Sequence, residues 1–245
     1  MLVSRISPLL QPNGDCVPKR LPMIGYTTLV VAVAIALGGW LAIVHPVSEI
    51  RGWWVTLIGT FALGSQSVAF PRQRVQLTVA DSFTFYALVV HGPFAAAVVA
   101  MVGILGAAVL GERKLSRTQL VFNCAAVPLA AIAAGFAYTA LQPESIVLAL
   151  LAASGAFFVV NTLLICGVLT LEGRVEVRRV IGISAPGFFL SVVLTASAGS
   201  SLAFVALAGP GEWMLAGLVA VCFLVSLVLS ARRVDDDSRP SLERA

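Results

Sequence analysis

The chain is short of charge. Its 245 residues hold 12 acidic and 16 basic side chains, 11% in all, whereas soluble domains carry nearer a quarter. That deficit excludes an ordinary water-facing surface. Histidine occurs twice, as His45 and His91, and lysine twice, as Lys19 and Lys114. The four cysteines form no C-x-x-C pair. Cys124, Cys166 and Cys222 sit in apolar runs and read as small buried hydrophobes, while Cys16 lies in a polar tail. A disulfide framework or a zinc site has no support in this pattern, and no metal or cofactor is expected. The sequence holds no G-x-S-x-G, H-E-x-x-H, P-loop or G-x-G-x-x-G pattern. The expectation is therefore a protein without enzymatic activity.

Long charge-free runs take the place of charge, at 21–48, 52–71, 82–111, 118–143, 145–171, 180–211 and 213–231. An α-helix needs about 20 apolar residues to cross a hydrocarbon core of roughly 30 Å, and most of these runs suffice. With 59% hydrophobic residues and mean hydropathy +0.97, the solvent of this chain is lipid. The first run is 28 residues long and follows a polar stretch of about 20. It is too long for the apolar stretch of a cleaved signal peptide, about 7–15 residues, and reads as a retained first span. The net charge of +4 needs no nucleic-acid partner, because cytoplasmic loops of membrane proteins collect Lys and Arg.

The same rule sets the topology. If 82–111 is a single span, the inner side holds 5 basic residues and the outer side 11. If it is a hairpin turning at His91-Gly92-Pro93, the inner side holds 15 and the outer side one, Arg51. The positive-inside rule selects the hairpin, and Gly-Pro makes a good local turn. The expected fold is all-α, a polytopic membrane bundle of about 7–8 segments with both termini cytoplasmic. The segments fall near 22–44, 53–70, 77–91, 93–111, 118–141, 145–171, 180–208 and 213–231. Residues 1–20 form an inner tail, 21–231 the membrane domain and 232–245 a charged inner tail containing Asp235-Asp236-Asp237. The third segment, 77–91, is short or broken, about 22 Å at helical rise. Such interrupted segments mark binding sites in transporters.

Small residues take over helix association in lipid. Gly103, Ala107 and Gly111 form one row, Ala96 and Ala100 a second, and Ala130 and Ala134 a third. These faces suit helix packing within the chain or a homodimer contact. Pro128 and Pro186 interrupt apolar runs, and Gly209-Pro210-Gly211 reads as an outer turn.

The polar residues left in the bilayer are few. Glu49, Glu112, Glu144, Glu172, Glu176 and Glu212 lie at loop edges, and no carboxylate sits well inside a span, which argues against a proton- or sodium-coupled pump. Asp81 comes nearest, at the mouth of the short helix. Asn123 starts one helix and Asn161 lies near the middle of the next. Two readings of the asparagines stand. They make interhelical hydrogen bonds of about 0.6–2 kcal/mol, or they line a polar intramembrane site with Gln66, Asp81, Ser82 and Thr84.

The order of short motifs is also informative. Leu77-Thr78-Val79-Ala80-Asp81-Ser82-Phe83-Thr84-Phe85 leads into His91-Gly92-Pro93-Phe94-Ala95-Ala96. A basic loop follows, then Leu120-Val121-Phe122-Asn123, then Asn161-Thr162-Leu163-Leu164, closed by Leu171-Glu172-Gly173-Arg174. Over roughly 53–200 this resembles the multi-pass membrane region that precedes HD-type phosphohydrolase and diguanylate cyclase domains in bacterial signalling proteins. The resemblance implies a membrane module alone, since 14 residues follow the last apolar run and neither catalytic activity is expected. A helix leading into Gly-Pro and an Ala/Gly-rich helix is also similar to the substrate-binding subunits of energy-coupling-factor vitamin transporters. The expected function is a sensory or scaffold membrane module, the alternative a small-solute transporter or its binding subunit. Its partners are the lipid bilayer and a second copy or a membrane signalling protein. Arginine in place of lysine, with abundant Ala, Val, Leu and Gly, suits a GC-rich bacterium and its cytoplasmic membrane.

Overall fold

The computed structural model describes residues 20–45, 53–70, 75–111 and 115–171, with residues 192, 193, 196, 198–200 and 203. Both tails, Pro186, the turn at 209–211 and the segment expected at 213–231 lie outside the described residues, as does most of that at 180–208.

The described chain is helical apart from one short hairpin. Its elements are α1 (Arg20–Val44), α2 (Trp53–Leu63), β1 (Ser67–Phe70), β2 (Val75–Thr78), α3 (Val79–His91), α4 (Pro93–Leu110), α5 (Arg117–Leu141) and α6 (Ile146–Leu171). Four helices are long and apolar enough to cross a membrane: Pro22–Val44, Pro93–Leu110, Arg117–Leu141 and Ile146–Leu171. Their outer faces carry large apolar side chains in the open, among them Ile35, Ile43, Val109, Val147 and Leu163. Water would penalise that surface, and hydrocarbon does not.

The apolar run 82–111 is indeed two helices. Gly92 separates them with φ +88°, a conformation that costs glycine nothing, and Pro93 opens α4 at the first helical position. The start of α5 has its own signal. The Ser116 hydroxyl accepts from the Gln119 amide at 3.3 Å, and the Ser116 amide donates to Gln119 Oε1 at 3.0 Å, a reciprocal cap of two otherwise orphaned donors. Pro128 lies buried inside α5 without ending it.

The segments expected at 53–70 and 77–91 differ from the simple helices of the sequence reading. Helix α2 stops at Leu63, and 67–70 pairs antiparallel with 75–78, Ser67 opposite Thr78 and Phe70 opposite Val75. The Val79 amide prolongs the ladder by donating to the Gln66 carbonyl at 3.3 Å. Short apolar runs do not distinguish strand from helix by hydropathy. Just past the end of α2, a Cβ at Gly64 would strike the Gly103 carbonyl and the Ala107 amide of α4, so the two backbones touch.

Helices α3 to α6 pack each against the next, while α1 lies mainly against α5 and α2 mainly against α4, and small residues set the spacing. Ala96 and Ala100 of α4, Ala130 and Ala134 of α5, and Ala149 and Ala153 of α6 share one buried cluster. Gly103 and Gly106 face α2, where Thr60 and Phe61 fill the space a side chain would need. Of the row expected at 103, 107 and 111, the first two join this contact. Gly111 instead caps α4, its amide donating to the Ala107 carbonyl at 3.1 Å.

Candidate functional site

Hydroxyl groups in this bundle are mostly absorbed by their own helices. Thr28, Thr60, Thr84, Thr139, Ser154, Thr170 and Ser200 each donate to the carbonyl four residues earlier, at 2.6–3.3 Å. Such local bonds satisfy a polar group without a partner helix. Thr84, at 3.3 Å from the Ala80 carbonyl, is therefore a structural residue. Asparagine and aspartate have no equivalent outlet mid-helix, and they define the site.

Asn161 is 8% exposed, at the middle of α6. It lies on the buried line Ala149, Ala153, Phe157, Asn161, spaced by four residues. Among the described residues its carboxamide makes no hydrogen bond. Its neighbour Thr162 has a sealed hydroxyl with no partner. The sealed side-chain atoms without a partner among the described residues are the hydroxyls of Thr56 and Thr162.

The opposite wall comes from α3. Phe85 meets Phe157 with ring centroids 5.6 Å apart and planes tilted by 53°. Both rings are essentially fully buried. Helices α3 and α6 run in opposite senses. Ala80 of α3 lies against Gly103 of α4, and Pro93 of α4 against Gly135 of α5, so each successive pair is antiparallel; Tyr138, Ala149 and Phe157 share one cluster across α5 and α6. Asp81 lies one helical turn from Phe85 along α3, with Ser82 beside it, and Asn161 one turn from Phe157 along α6. Asp81 and Ser82 are half-buried in the first turn of α3, where an acidic side chain also complements the helix dipole.

The other two candidates stand apart. Gln66 is half-buried at the junction of α2 and β1, its amide donating to the Leu63 carbonyl at 3.0 Å. Asn123 is half-buried near the start of α5. Its neighbour Phe122 belongs to a separate cluster with Val30 and Leu129, stacked on Tyr26 at 6.2 Å.

One contributor was invisible in the sequence. Gly199 lies against the Ser82 carbonyl, the Phe85 Cβ and the Tyr86 amide, close enough that a Cβ would collide. A single glycine in a Ser/Ala-rich stretch carries no signal of its own. Elsewhere, His91 meets Trp53 edge-on at 5.4 Å and Tyr86 at 6.3 Å, and His45 is exposed just after α1. Cys124 and Cys166 are free thiols. No group of three His, Cys, Asp or Glu gathers among the described residues.

Four apolar helices of spanning length, small-residue packing and an unmasked apolar surface define a polytopic helical membrane protein. Comparison with protein-family models, curated proteins and solved structures returns no match.

Proposed function

We propose that the chain is a non-enzymatic module of a bacterial cytoplasmic membrane, sensory or scaffolding in role, that responds to a small polar ligand held between α3 and α6. The observation that supports this reading is Asn161, a carboxamide only 8% exposed at the middle of an apolar spanning helix. A polar group kept inside an apolar bundle is either helix-to-helix glue or part of a site, and the proposal takes the second. The resemblance to the membrane regions of signalling proteins agrees with it, since Asp81, Ser82 and Asn161 all fall within the similar stretch. The test is native mass spectrometry of the detergent-purified full chain, wild type against Asn161→Leu. A small molecule carried by the wild type and absent from the variant supports the reading. Identical spectra sink it.

A second reading, a small-solute transporter or its binding subunit, draws on the broken legs α2–β1 and β2–α3. Eleven helical residues and four strand residues together rise about 30 Å, close to the thickness of a hydrocarbon core. Non-helical backbone at that depth is tolerated where it is buried in protein or lines a cavity. Time-dependent solute uptake into proteoliposomes favours transport. Saturable binding without flux favours the sensor.

A further inference from the structure

We propose that His91 is a proton-responsive clamp: the protonated imidazole holds the start of α2, through Trp53, against the end of α3, and the hold slackens as the ring loses its proton. The inference is independent of the ligand reading.

It begins with how α2 is held. Its later half is fastened by close approach to α4. A Cβ at Gly103 would meet Thr60, one at Gly106 would strike the Phe61 backbone, and one at Gly64 would strike the Gly103 carbonyl. None of these contacts involves a group that titrates. The start of α2 is held differently. Trp53, its first residue, meets His91, the last of α3, with ring centroids 5.4 Å apart and planes at 75°. Tyr86 meets the same imidazole at 6.3 Å and 72°. Tyr86 is buried, while Trp53 and His91 are half-buried. Trp53 also leans on the apolar cluster of Phe83, Tyr86 and Val99, so losing the imidazole loosens this end of α2 without undocking it.

The attraction depends on charge. A near-perpendicular pair sets a ring edge, which is positive, toward a ring face, which is negative. Protonation adds a cation–π attraction, which is strongest for tryptophan. His91 also ends α3, where the Gly92 amide closes the last turn on the Leu88 carbonyl at 3.1 Å. The carbonyls of a last turn are the negative end of the helix dipole and favour an imidazolium. Burial opposes the charge, but His91 is only half-buried beside a turn. The stabilisation is therefore present on the acid side of the ordinary histidine value, about 6.5, and is lost as pH rises through it.

The surrounding elements bring no competing charge among the described residues. Helices α2 and α4 hold no titratable side chain. The run 180–211, whose Ala203 joins the Tyr86 cluster, holds none either. On α3 the others are Tyr86 and Asp81, the latter ten residues away, about 15 Å at helical rise. Glu49 and Arg51 precede α2 in the sequence, and the tryptophan variants below separate their effect from that of the ring. On the topology predicted by the positive-inside rule, this end of the bundle faces outward, so external acidity sets how firmly α2 is held.

The experiment is thermal unfolding of the full chain in detergent, at constant ionic strength, between about pH 8 and pH 5.5. Wild type is compared with His91→Gln, Trp53→Leu, Trp53→Phe and His45→Gln. Toward acid the wild type should gain about 2–4 °C in melting temperature over His91→Gln, since the other titrating groups are common to both. Trp53→Leu should lose that gain, Trp53→Phe, which keeps a ring face, should retain part of it, and His45→Gln should retain it all. A His91→Gln protein that tracks the wild type, or a wild type that loses ground to it toward acid, overturns the clamp. The full gain in Trp53→Leu also overturns it, because the effect would then belong to charge in the preceding connection. If His91→Gln does not fold, the two tryptophan variants decide, and equal pH dependence in both overturns the proposal.

Discussion

The ring of Tyr26 occupies the notch that Gly167 leaves on α6, and its hydroxyl donates to the Leu164 carbonyl at 3.2 Å. One tyrosine thus fastens α1 to α6 by shape and by a hydrogen bond. The remainder of α1 is largely open to its surroundings, so this contact matters out of proportion to its size.

Two substitutions separate the parts of that fastening. Tyr26→Phe removes the hydroxyl and keeps the ring, and should cost about 0.5–1.5 kcal/mol. Gly167→Leu puts a side chain where the ring lies, and should cost more, about 1–3 kcal/mol or the docking of α1 itself. Apparent melting temperature in detergent, with protease accessibility of α1, reads both. A larger effect from the phenylalanine would show that the notch is unimportant.

Glycines predict opposite outcomes according to what they face. A Cβ at Gly106 runs into the Phe61 backbone, whereas one at Gly155 meets nothing within 4 Å. Gly106→Ala should part α2 from α4 and lower the melting temperature. Gly155→Ala, inside α6, should hold or raise it by up to about 1 kcal/mol through helix propensity. If the two alanines behaved alike, the close approach of α2 and α4 would be wrong.

The positive-inside rule predicts the connection before Arg117 on the inner side and the one around Gln142 on the outer side. Both residues are exposed at helix ends. In a protein with its four cysteines replaced, Arg117→Cys should resist a membrane-impermeant thiol reagent in intact cells and react after permeabilisation. Gln142→Cys should react in both. The reverse pattern inverts the topology.

How far the sequence could be read follows from which interactions leave a one-dimensional trace. Length and polarity of the runs gave the four long helices, and the charge count with Gly92-Pro93 gave the break between α3 and α4. Those are local properties. The hairpin at 67–78 was not anticipated, because 67–70 continues the apolar run that begins at 52 and a four-residue strand there cannot be told from the end of a helix by hydropathy. The site was half legible for the same reason. Asp81, Ser82 and Asn161 stood out as polar residues in apolar runs, but so did Gln66 and Asn123. The structure separates them by surroundings: Asn123 adjoins the cluster around Phe122, and Asn161 follows Phe157 on the buried face of α6.

Asn161 supports a sharper prediction than loss of ligand. If it were a structural residue bonding helix to helix, Asn161→Leu would destabilise the protein by about 0.6–2 kcal/mol. Asn161 is instead 8% exposed with no helix-to-helix hydrogen bond found for it among the described residues, and a polar group in an apolar setting is a cost that leucine, of similar size, does not incur. The ligand-free variant should therefore melt at or above the wild-type temperature. The same variant should lose the stabilisation that ligand confers, since binding adds to apparent stability only where the bound state is formed. The two effects have opposite sign and are measured in the same melting curves, without and with added solute. A variant that melts well below the wild type in the absence of solute would mean that Asn161 is held by a partner helix, and that packing alone explains its place in the bundle.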